Sequence, residues 1–268
     1  MPSSLAFGGR AELLRRSACY HWGVRRLPAL LLLPLVGVLL ASCARPAAPS
    51  LEYDEGVLTV PPAASAPAAA DPALLEDSDE TAATPVRLLP SAEWLAAAAE
   101  GTGVSQRALT AYAGAALLTS SVDPDCRLDW ATLAGIGYVE SRHGTIDGGE
   151  LGDDGRPTEP IYGPRLDGER FDRVDDNDGG ALDGDPEVDR AMGPMQIIPA
   201  TWMAWASRGW DPQNIDQQSV TAARYLCEAG GDLSTESGWR AAIAAYNPAT
   251  SYAGKVAEAA SRYAAGAE

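Results

Sequence analysis

Lysine is almost absent from this chain: Lys255 is the single lysine among 20 basic residues, and histidine occurs twice. No Cys/His cluster has the spacing of a zinc site. No Ser-His-Asp arrangement, phosphate loop or dinucleotide fingerprint occurs either. Alternating strand patterns are weak throughout, and no period marks a repeat protein. Basic charge is scarce, with a formal net charge of −17. Residues 1–42 hold five arginines (10, 15, 16, 25, 26) and one acid, Glu12, so the remainder stands at −21. Such a surface repels nucleic acid and anionic headgroups, which excludes DNA and polyphosphate as expected substrates.

The N-terminal segment 1–42 is net basic, unlike the remainder of the chain. Arg15, Arg16, Arg25 and Arg26 precede an apolar run from Leu27 to Leu40 that Pro28 and Pro34 interrupt. The run is short for a membrane span and is followed by small residues, the pattern of an export signal. Leu40-Ala41-Ser42-Cys43 has the form of a bacterial lipoprotein box. Residues 1–42 are thus expected to be a signal peptide and Cys43 a lipidated mature N-terminus. The protein would then be extracytoplasmic, anchored to the outer face of the membrane by several acyl chains. The alternative is an ordinary cleaved signal with an incidental cysteine. Cys19 leaves with the signal, so Cys126 and Cys227 remain as one pair in an oxidising compartment. Their disulfide would close a loop of about 100 residues, worth about 4–5 kcal/mol in chain-entropy terms. Two buried free thiols are the other reading.

Residues 43–84 are rich in proline, alanine and acids and lack apolar periodicity, as expected of a flexible tether. Residues 85–268 form the expected domain, mostly α. Helices are predicted near 91–99, 105–119, from Asp129 to Gly144, 199–209, 216–229, 238–246 and 252–264. Asp129 suits an N-cap, Gly144 a C-cap and Pro199 a first helical turn. The segment 145–190 reads as loop, with a short hairpin around Ile161-Tyr162-Gly163.

One carboxylate closes an otherwise apolar helical run: Gly135-Ile136-Gly137-Tyr138-Val139-Glu140-Ser141-Arg142-His143-Gly144. Apolar neighbours and the negative end of the helix dipole both favour a protonated Glu140. A lone acid of that kind suits a proton donor, with a surface or arginine-paired glutamate as the alternative. His143 reads as an exposed helix-end residue.

Two more segments follow in order, Ala191-Met192-Gly193-Pro194-Met195-Gln196-Ile197-Ile198-Pro199 and Ala244-Ala245-Tyr246-Asn247. Together the three resemble the lytic murein transglycosylases, in the actinobacterial branch similar to membrane-bound lytic transglycosylase B. The resemblance runs from about Trp94 to Tyr263. It implies a lysozyme-like α+β fold and cleavage of the MurNAc–GlcNAc β-1,4 bond of peptidoglycan with 1,6-anhydro-MurNAc ends. Glu140 is implied as the single catalytic carboxyl, first acid and then base, with no cofactor required. Ser141 would support the glutamate or the substrate. Met195 would pack on a sugar face, with a core methionine as the alternative. Gln196 would bind hydroxyl or N-acetyl groups. Tyr246 would orient Glu140 or the acetamido group, and Asn247 would contact substrate, with a buried tyrosine and a helix-capping asparagine as the alternative. Glycan strands, the membrane through the lipid, and other wall enzymes are the partners implied.

Between Thr145 and Arg190 lie fifteen acids. The run from Asp175 to Asp185 fails an EF-hand alignment, because the first ligand position falls on Val174. Asp176, Asp178, Asp183 and Asp185 suit a non-standard calcium cage. The competing reading is a solvated acidic loop pinned by Arg173 and Arg190.

Overall fold

The computed structural model describes residues 60–76 and 85–267. The expected signal segment, with Cys19, and Cys43, the expected lipidation site, lie outside the described residues. The described chain is mostly helical. After a short helix α1 (Ala73–Glu76) come α2 (Ala92–Thr102), α3 (Gln106–Val122), α4 (Trp130–Ser141), α5 (Pro199–Trp205), α6 (Ile215–Gly230), α7 (Glu236–Tyr246) and α8 (Thr250–Gly266). Local chemistry sets most starts. Ser91, Ser105, Asp129, Asn214 and Thr235 each accept a backbone N–H of the first turn, as polar N-caps do. Pro199 opens α5. Among the described helices, none is long and apolar enough to cross a membrane.

Helix α4 is the central element. Every residue from Trp130 to Gly137 is buried, so the helix is enclosed on all sides rather than amphipathic. It packs most extensively on α8, while α3 packs on α6 and α6 on α7. The Trp239 indole of α7 donates to the Thr132 hydroxyl of α4 at 3.1 Å, satisfying both inside the core. Among the α4 glycines, Gly137 permits the closest approach: a Cβ there would stand 2.0 Å from the Tyr112 hydroxyl of α3. The Cys126–Cys227 disulfide forms, with Cα atoms 5.3 Å apart, and ties the approach to α4 to the end of α6.

Two expectations change. Residues 60–76 are held against the domain rather than free, so the flexible reading of 43–84 does not apply to them. The Ala64 N–H donates to Asp129 at 2.6 Å, the Trp130 indole to the Ser65 carbonyl at 3.2 Å, and Ala70 N–H to the Leu89 carbonyl at 2.7 Å. The strand expected near Ile161–Gly163 exists as β1 (Tyr162–Arg165), but its partner is distant. It pairs antiparallel with β2 (Arg190–Met192), in the register Tyr162↔Met192 and Arg165↔Arg190. Between the two strands runs the acidic loop 166–189.

Candidate active site

Glu140 is the penultimate residue of α4, where the helix leaves the core, and it is half-buried. Burial raises its carboxyl from the usual 4.5 to about 7, and a hydrogen bond from Tyr252 opposes part of that rise. The Tyr252 hydroxyl, on the first turn of α8, donates to Glu140 Oε1 at 2.5 Å. The Tyr246 ring lies parallel to that of Tyr252, at 6.4 Å and 8°. The Tyr246 hydroxyl in turn donates to the Met195 carbonyl at 2.7 Å. One chain of contacts therefore runs from Glu140 through two tyrosines to the residue before Gln196.

The Gly193-Pro194-Met195-Gln196 segment is a tight turn. Met192 and Ile197 close it with paired backbone hydrogen bonds of 3.0 and 3.1 Å. Gly193 (φ +69°) and Gln196 (φ +51°) take left-handed conformations. At Gly193 a side chain is excluded twice, because a Cβ would also fall 2.0 Å from the Pro212 carbonyl. The buried Gln218 side chain of α6 grips the turn from below. It accepts the Met195 N–H at 2.7 Å and donates to the Met192 carbonyl at 2.8 Å.

Ser141 is fully buried and bonds away from Glu140. Its hydroxyl donates to the Pro194 carbonyl at 2.5 Å and accepts the Gly144 N–H at 2.8 Å. It joins the end of α4 to the turn. Met195 takes part through its backbone, since its side chain is fully buried. Gln196 is half-buried, donates from Nε2 to the Gly193 carbonyl at 3.0 Å, and lines a cleft of about 110 Å³ with Ile198, Thr201, Tyr225 and Tyr246. Asn247 ends α7 and accepts the Ala249 N–H at 3.0 Å. A larger hollow of about 300 Å³ at Arg87, Trp210 and Arg224 contains none of these residues.

His143 is not the exposed residue expected. The Tyr112 hydroxyl meets its Nδ1 at 3.1 Å and the Tyr263 hydroxyl its Nε2 at 2.9 Å. Burial, then the nearby Arg262 and Arg142 charges, lower its pKa from 6.5 to about 4. Arg142 and His143 both hold positive φ, so α4 ends before Gly144. Each such residue costs about 1–2 kcal/mol, and the reversed chain brings the Gly144 N–H onto Ser141.

The acidic candidates divide. Asp176 and Asp178 lie close to Asp189, which sequence reasoning did not single out. Asp183 instead accepts the N–H groups of Asp185 and Arg190, and Asp185 pairs with Arg165. Comparison with protein-family models, curated proteins and solved structures finds no match for this chain.

Proposed function

We propose that the chain is a lytic transglycosylase with a lysozyme-like catalytic domain, anchored to the outer face of the membrane and acting on peptidoglycan. The observation that carries this reading is Glu140, half-buried, held by Tyr252 and protonated up to about pH 7. A glycosidic oxygen needs a proton as its bond to the sugar breaks, and a carboxyl with that pKa can supply it near neutrality. The substrate's 2-acetamido oxygen then bonds to the anomeric carbon. Glu140, now a carboxylate, takes the proton of the 6-hydroxyl, whose oxygen displaces the acetamido group and closes the 1,6-anhydro ring. Tyr252 stabilises the carboxylate between the two transfers. Gln196 and Asn247, at the turn and the end of α7, are the groups assigned to the glycan.

Digestion of purified peptidoglycan by wild type and Glu140→Gln, with fragments weighed by mass spectrometry, tests the proposal. Wild type is expected to release fragments ending in 1,6-anhydro-MurNAc. Glu140→Gln is expected to lose about 10³-fold or more in rate while still folding. Near-wild-type turnover by Glu140→Gln would remove Glu140 from its role. Reducing ends alone would make the reaction a hydrolysis. A folded wild type that releases nothing would leave a glycan-binding protein.

A further inference from the structure

We infer that the loop between β1 and β2 binds a calcium ion on Asp176, Asp178 and Asp189. One oxygen from each carboxylate lies within 4.8 Å of the other two. Oxygens on opposite sides of a calcium ion, each at about 2.4 Å, stand about 4.8 Å apart, so a single ion can touch all three. Crowded exposed carboxylates would by themselves mean little. Asp189 supplies the second observation. It is fully buried, its Oδ2 accepts the Asn177 amide at 2.6 Å, and its Oδ1 has no partner. A buried carboxylate oxygen without a donor or cation is costly.

The neighbouring cations are committed elsewhere. Arg165 binds Asp185 and Glu187, Arg173 binds Asp175, and Arg190 Nε donates to the Gly163 carbonyl. The other two carboxylates are held in place by the loop. Asp176 accepts N–H bonds from Gly179 and Gly180 at 3.0 Å each, and Asp178 from Gly180 and Leu182 at 2.9 and 2.7 Å. Asp176 Oδ1 also accepts the Asp178 N–H at 3.3 Å and is filled, while Asp176 Oδ2 and both Asp178 oxygens accept one N–H each and keep a second lone pair for an ion. Hard oxygen donors on an irregular, glycine-bearing loop favour calcium over magnesium, which demands octahedral geometry and keeps its waters. The ion would also matter to the turn, because Asp189 leads directly into β2 and then Gly193–Gln196. The site stands independently of the reaction proposed above.

The test frees the full chain of metal with EDTA and titrates it with CaCl2, then MgCl2, by calorimetry. One calcium per chain is expected, with a Kd at or below about 1 mM and magnesium at least about 10-fold weaker. At calcium 100-fold above Kd the melting temperature should rise by roughly 5–10 °C. Asp189→Asn and Asp178→Asn should each abolish binding and the shift, while Glu169→Gln, on an exposed loop acid, keeps both. If Asp189→Asn fails to fold, Asp178→Asn carries the test. A wild type that takes up no calcium overturns the inference, Asp189 then holding a proton or water. Calcium binding unchanged in the folded aspartate variants overturns it equally.

Discussion

Glu140 and Asp185 are carboxylates in the same protein, and their surroundings move them in opposite directions. At the end of α4, burial dominates and lifts Glu140 to about 7 against a single tyrosine hydrogen bond. In the acidic loop, the Arg165 guanidinium, followed by the Glu187 and Val188 N–H groups, holds Asp185 below its usual range. One region removes water and returns little, while the other replaces water with donors. The contrast shows that a carboxyl becomes a neutral-pH acid here through withheld partners, not through a special residue type.

The contrast sharpens most through Glu140→Gln in stability rather than rate. Glu140 has a folded pKa above its unfolded one, so its ionisation costs stability as pH rises from about 4.5 to about 7. At pH 4 the variant and wild type should unfold at similar urea concentrations. At pH 8 the variant should be more stable, by on the order of 3 kcal/mol. Equal stability at both pH values would mean that Glu140 is solvated like a surface acid. His143 works in the reverse sense: its folded pKa is lowered to about 4, so stability falls as pH drops from 6.5 toward 4. In Glu140→Gln the His143 slope should remain without the opposing Glu140 contribution.

Asp183→Asn probes the donor-rich region. Asp183 is buried and accepts the Asp185 and Arg190 N–H groups at 3.0 and 2.6 Å. An amide can satisfy only one of them, so a loss of about 1–3 kcal/mol is expected in urea unfolding. No loss would mean that the loop does not use its carboxylates as anchors. Tyr252→Phe should have the smallest effect on stability, about 0.5–1.5 kcal/mol. It also removes the contact that lowers the Glu140 pKa, so the alkaline limb of the proposed glycan cleavage should move to higher pH. A limb that moves down would show that Tyr252 favours the neutral acid.

Helices were legible because their signals are local. Asp129 caps α4 and Pro199 opens α5, both as their residue types predict. The Glu140, Gln196 and Tyr246 segments were legible as motifs, and the fold brings them together. What escaped depends on partners far away in the chain. Tyr252 looks like an ordinary residue in the first turn of α8, yet it holds Glu140 from 112 residues away. Gln218 was detectable in principle: it shares the helix face of buried Ile215 and Ala222, an unusual place for an amide. The strand at Tyr162 was visible, but its pairing across the acidic loop was not, since no local turn specifies it.

Gly137 gives the site a vulnerability that contact maps of Glu140 would miss. The position matters for the atoms it does not have. A single methyl there meets the Tyr112 hydroxyl, which meets His143, which lies three residues past Glu140. A substitution at Gly137 therefore reaches the site from a residue that has no polar side chain of its own. A screen for loss of the activity proposed for Glu140 should recover Gly137 variants beside Glu140 variants, although only the latter change the carboxyl itself.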